Sequence, residues 1–229
     1  MIYNRIMMAA VLTAFATGAY AAPCVSGTTY ATLMSGGCQT TALSYDLFAL
    51  TSTSTPGLFA IPASGIVVNF PTPTSIQFVG GYVAPAGQQR DELFMFRTTA
   101  LSGGIIGDVV DISTAAASGL ASVVLSETIC EGGTFTPGCS SGNTGTLLAY
   151  KTATAQKLTD SVSFLSVSSI MSMKDFTFDG GPAGGTFSLA AGSEVTNSVN
   201  LGSVPEPASL GLVALGLLAG LARLKQRAS

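Results

Sequence analysis

Residues 174–181 read KDFTFDGG, and their alternation decides the fold. Phe176 and Phe178 point one way along an extended chain, and Thr177 points the other. Side chains alternate across a strand, so this is a strand with one apolar face, closed by a glycine pair that turns the chain. The same period of two recurs on both sides. Val162 and Phe164 oppose Ser161 and Ser163 in DSVSFLSV. Val123 and Leu125 alternate in SVVLSET, and Ile76 and Phe78 do so in TSIQFVG. Leu43, Tyr45 and Leu47 alternate in ALSYDLF. Such short runs of Val, Ile, Thr and Phe read as half-buried strands. Between them lie PTPT, SGG, GGTFTPG, SSGNTG and GGPAGG, which read as turns. The pattern predicts an all-β chain, an antiparallel β-sandwich of roughly ten strands, with a barrel as the less favoured closure. No amphipathic helix is expected between the two end segments. No constant period repeats, which disfavours a β-solenoid.

Composition narrows the function classes. The chain has 229 residues, a net charge of −3 and only 9% charged residues, while Ser and Thr together supply 52. Polarity is therefore carried by hydroxyls. There is no His, which excludes Ser-His and Cys-His nucleophiles and every imidazole metal ligand. Residues 22–204 hold five basic and eleven acidic residues, a net charge of −6, which leaves no basic patch for nucleic acid.

The first residues, MIYNRIMMAAVLTAFATGAYAAPC, have the three parts of a secretory signal peptide. Arg5 makes the positive start, Ile6 to Ala16 the apolar helix, and Ala19-Tyr20-Ala21 the small-x-small cleavage site. Residues 1–21 are thus expected to engage the Sec translocon and to be removed by signal peptidase. Pro23 before Cys24 argues against lipidation of that cysteine. Four cysteines remain after export: Cys24, Cys38, Cys130 and Cys139. An even count in an oxidising compartment predicts disulfides, and four cysteines allow three connectivities. The local one, Cys24–Cys38 with Cys130–Cys139, is preferred because MSGGC and CEGGTFTPGC can turn tightly. Wide spacing and the absence of His argue against a metal, and no cofactor is expected.

The other end reads VPEPASLGLVALGLLAGLARLKQRAS, residues 204–229. Ala208 to Ala222 are small or apolar. As a helix they would span about 22 Å, short of the roughly 30 Å of hydrocarbon in a bilayer. Arg223, Lys225 and Arg227 follow, and basic residues hold a membrane helix end in the cytoplasm. Pro205 and Pro207 resist the helix and keep Glu206 on an extended approach outside it. Gly216 and Gly220 form a GxxxG spacing that allows close helix approach. The expected organisation is a signal peptide at 1–21, a β-sandwich body at 22–204, and a processing segment at 205–229.

This tail resembles the PEP-CTERM sorting signal of exported bacterial proteins. The matching parts are Val204 to Ser209, Leu210 to Ala222 and Arg223 to Arg227, in order. The resemblance implies recognition by an exosortase, a membrane-embedded cysteine protease that cuts near Pro205-Glu206-Pro207. It also implies a Gram-negative host that makes extracellular polysaccharide. It places the body outside the inner membrane, tethered transiently by the tail and then surface-bound or released. The same module carries an "ice-binding protein C-terminal domain" label, which describes the tail. The body is similar to uncharacterised PEP-CTERM β-sandwich proteins with a KD-hydrophobic-Gly-Gly strand, which implies no activity.

Candidate sites in the body are sparse. Asp91-Glu92 are neighbours on a strand, so they face opposite ways, and both are expected to be solvated at an edge. Asp108 and Asp111 differ in parity, and Asp179 in FDGG lacks the six or more oxygens that calcium wants. Thr-x-Thr pairs in LTSTSTPG, FPTPTS and YKTATAQ are scattered, which does not suit a flat ice-binding face. The expectation is a noncatalytic surface or matrix protein sorted by exosortase, with a polysaccharide-binding module as the alternative.

Overall fold

The computed structural model describes residues 21–136, 138–184 and 188–202. Ala19, the apolar start of the chain, Pro205, Glu206, Pro207, the predicted tail helix, Arg223, Lys225 and Arg227 lie outside the described residues. The elements run β1 Thr28–Thr29, α1 Tyr30–Met34, β2 Cys38–Gln39, β3 Leu43–Ser54, β4 Val67–Asn69, β5 Ser75–Pro85, β6 Gln89–Ala100 and β7 Gly104–Asp111. They continue with β8 Ala116–Ser118, β9 Ser122–Glu131, β10 Thr144–Thr152, β11 Gln156–Lys157, β12 Thr159–Val167, β13 Ser169–Asp179 and β14 Leu189–Gly202. One sheet has the order β11-β10-β9-β13-β6-β3-β2 and the other β1-β4-β5-β14-β7-β12, with β8 beside β14. The named strands pair antiparallel throughout the described residues. The two sheets face each other as a sandwich, as the alternation predicts.

The opening stretch forms the second half of β13, a central strand paired to β6 and β9. Phe176 and Phe178 are fully buried and their rings lie 4.3 Å apart. Tyr82 of the opposite sheet stacks on Phe178 at 5.4 Å and meets Phe176 edge-on at the same distance. Phe78, Phe94 and Phe96 extend this aromatic layer. Each buried phenylalanine contributes about 1.5–3 kcal/mol by area alone, so these rings dominate the inter-sheet core.

Two local features depart from expectation. Leu47 does not share the inner face with Leu43 and Tyr45; it is 50% exposed. It sits at φ 54, inside a register shift between Asp46 and Ala49 of β3. The bulge inserts an extra residue, reverses the parity, and turns Phe48 into the core instead. The second departure is α1, a short helix where none is expected. Thr29 caps it by accepting the Thr32 N–H, and Tyr30 and Leu33 face the core. The Tyr30 hydroxyl donates to the carbonyls of Ala49 and Met95. A helix of one and a half turns is too short to display a period of 3.6.

Candidate functional site

The sandwich has a distinct end from which the tail departs. β14 lies between β5 and β7 in the middle of its sheet, and its last residue, Gly202, pairs with Gly104 at the start of β7. β6 ends at Ala100, and the chain crosses to β7 through residues 101–103. β12 and β13 meet at the same end, because Val167 pairs with Ile105 and Ser169 with Thr99.

Both disulfides lie there. Cys24 is bonded to Cys38 and Cys130 to Cys139. The first ties the segment after Ala21 to β2, where the Gln39 N–H donates to Ala22 O and the Cys24 N–H to Gln39 O, each at 2.8 Å. Gly37, just before Cys38, has φ 67, and a Cβ there would lie 2.3 Å from Tyr45 O. Only glycine fits this turn. The second disulfide closes the loop after β9, which the Gly132 N–H anchors on Ser169 O at 2.8 Å.

A buried polar cluster sits between the sheets. Lys174 of β13 and Glu127 of β9 are cross-strand partners and form an ion pair, both sealed from solvent. From the opposite sheet, Asp108 of β7 completes the cluster, and the Asn197 amide of β14 donates to it. Burial, and then the Glu127 charge, hold the Asp108 carboxyl well above its usual range. A protonated Asp108 beside Glu127 and Lys174 spares the core an extra buried charge. Such a cluster resembles acid–base machinery in composition, but every member is buried. It joins the two sheets in one register.

The acidic pair behaves differently from the expectation of an edge. β6 is a central strand, and Glu92 faces the core with no exposure, while Asp91 faces outward. Burial raises the Glu92 carboxyl above its ordinary value, and Arg90 lies 3.9 Å away. Asp108 and Asp111 lie on opposite faces of β7; Asp111 accepts the Ser113 N–H. Asp179 accepts the Gly181 N–H at 2.8 Å and shapes the turn. Among the described residues no group of three or more His, Cys, Asp or Glu side chains is placed to hold a metal. The threonine pairs do not share a plane: Thr51 and Thr53 lie on β3, Thr72 bonds within the turn before β5, and Thr152 ties the turn after β10.

One arrangement was not visible before the register was known. Asn69, Gln77, Thr196, Asp111 and Thr159 form a single row across β4, β5, β14, β7 and β12 on the outer face. The Asn69 amide donates to Gln77 at 3.2 Å, and the Gln77 amide donates to Thr196 at 3.4 Å. Each residue is unremarkable alone, and only strand pairing brings them into line.

Comparison with known proteins bears on the tail. Residues 203–227 match the PEP-CTERM protein-sorting motif. No curated protein matches the chain. Among solved structures, TmCBM61 in complex with beta-1,4-galactotriose is 9% identical, covers 66% of this chain and 88% of its own, and has a TM-score of 0.33. The bacteriophage CBA120 tailspike protein 4 enzymatically active domain is 11% identical, covers 67% of this chain and 19% of its own, with a TM-score of 0.28. Likenesses this distant say nothing of ligand or activity. Among the described residues no helix is long and apolar enough to cross a membrane. The sorting motif implies an exosortase as processing partner and export to the cell envelope or surface of a Gram-negative bacterium. The chain therefore carries a PEP-CTERM sorting motif in residues 203–227, directly after β14 of the β-sandwich.

Proposed function

We propose that the protein is a noncatalytic component of the bacterial surface or extracellular matrix. The Sec translocon exports it and signal peptidase trims it after Ala21. The apolar run from Ala208 to Ala222 then holds it in the inner membrane, with Arg223, Lys225 and Arg227 inside, until exosortase cuts near Pro205-Glu206-Pro207. The observation that carries this reading is the sorting motif placed immediately beyond Gly202, where β14 ends. In sequence, Pro205-Glu206-Pro207 separates the folded body from the apolar run, which leaves it to a protease at the outer face. Fractionation of cells with the matching exosortase tests it. Wild type is expected at the surface or in the medium, and Glu206→Ala in the membrane fraction. Equal distribution of the two would remove the sorting role from the motif.

A second reading gives the body a ligand. The row of Asn69, Gln77, Thr196, Asp111 and Thr159 presents amides, hydroxyls and one carboxylate to solvent along one line. That chemistry suits the hydroxyls of a neutral polysaccharide. Retention of the body on a glycan array, lost in Gln77→Ala with Thr196→Ala, would support it. An array with no signal would leave the body without this activity.

A further inference from the structure

We propose that the tail-exit end of the sandwich docks on the lipid headgroup surface before cleavage, with Leu101, Ile106 and Leu165 entering the interface. This rests on the tail anchoring proposed above.

Three exposed apolar side chains lie on the segments at this end: Ile106 beside Gly202, Leu165 in β12 and Leu101 in the crossover from β6 to β7. A Cβ on Gly202 would lie 2.9 Å from Ile106 Cγ2, so Ile106 borders the departing chain, and it is partly exposed. Opposite it, β12 is irregular: Ser163 pairs with Gly107 and Val167 with Ile105, so three residues face one. Leu165 lies in this bulge and is 87% exposed. Leu101, in the crossover from β6 to β7, is 47% exposed. Leucine and isoleucine at such exposure are costly in water and favourable at a lipid boundary.

Charge points to the same occupant. The segments that form this end, 40–42, 101–103, 132–143 and 164–168, contain no Asp, Glu, Lys or Arg. Glu131 and the Asp46–Arg97 ion pair lie beside them. Asp91, Asp111, Lys151, Lys157 and Asp179 lie toward the other end of the strands. A body with a net charge of −6 would be repelled by an anionic leaflet through most of its surface. The end with charge-free loops is the one that can approach.

Reach then fixes the distance. Residues 203–207 separate Gly202 from the apolar run at Ala208. Five residues span at most about 18 Å when fully extended, and the headgroup layer occupies several ångströms of that. The tail-exit end is thus confined to the membrane surface for as long as the tail is attached.

The chain contains no Trp, so a single introduced one reports its own surroundings. The tail-bearing protein is reconstituted into phosphatidylethanolamine–phosphatidylglycerol vesicles containing brominated acyl chains. Leu165→Trp and Leu101→Trp are compared with Phe59→Trp, whose site is 89% exposed at the opposite end. Each variant is first checked for the wild-type thermal midpoint. Docking predicts blue-shifted, quenched emission for Leu165→Trp and Leu101→Trp, and red, unquenched emission for Phe59→Trp. If all three remain red and unquenched while the protein floats with the vesicles, docking is wrong and anchoring stands. Quenching that requires co-reconstituted exosortase would assign the surface to a protein and overturn the lipid partner. Failure to float would overturn anchoring, and docking with it.

Discussion

Lys174 is a buried charge at an apolar-face position. It has the parity of Phe176 and Phe178, and the structure buries it with them. Glu127 shares the parity of Val123 and Leu125, Glu92 that of Phe94 and Phe96, and Asp108 that of Val110. The alternation thus held the signal for every buried charge. Composition hid it, because Lys, Glu and Asp are almost never fully buried unless paired, and the partners come from distant strands. Removing one partner leaves a buried charge alone. Lys174→Met is therefore expected to cost about 3–5 kcal/mol in chemical denaturation. Asp108 gives a pH test. Its folded pKa is raised, so its stabilising contribution is complete below the unfolded value of about 3.9 and is lost as pH climbs through the folded value. Asp108→Asn mimics the protonated form and cannot titrate. The melting temperature of the variant minus that of wild type should grow as pH rises from acid to neutral. A difference that is flat or shrinks with pH would show that Asp108 is ionised in the fold.

At the scale of elements, the strand pattern of the sheets was legible wherever parity ran unbroken. It failed in β3, where ALSYDLF alternates only as far as Tyr45. The bulge between Asp46 and Ala49 leaves no mark in composition, because Leu47 and Phe48 are both apolar and either could face inward. Only the paired strand β6 decides which does. Leu47 at positive φ carries strain of about 1–2 kcal/mol, part of which a glycine would return as chain entropy. Leu47→Gly is expected to be neutral or up to about 1 kcal/mol more stable, and Leu47→Val less stable than wild type. The urea midpoints of the two variants check this ordering. A less stable glycine variant would mean that Leu47 makes contacts that outweigh its strain.

For the whole molecule, the tail announced a sorting motif, and the body did not announce a ligand. A sorting motif is read from local composition in order, whereas a row such as that from Asn69 to Thr159 is assembled from residues far apart in sequence. Folding also gathers the disulfides and the tail exit at one end, which no spacing rule predicts. Replacing Cys24 and Cys38 by Ser opens a loop with a separation of 14 residues. By the loop-closure argument this costs about 3 kcal/mol, and thermal melts with and without reductant would measure it. The tail is expected to be a temporary handle. Intact-mass analysis of the protein recovered from the cell surface or medium checks this. The expected species is a chain that begins at Ala22 and ends at or near Pro205 to Pro207, and Glu206→Ala should abolish it. A surface-exposed protein that still carries Leu210 to Arg223 would contradict it and make the segment a plain anchor.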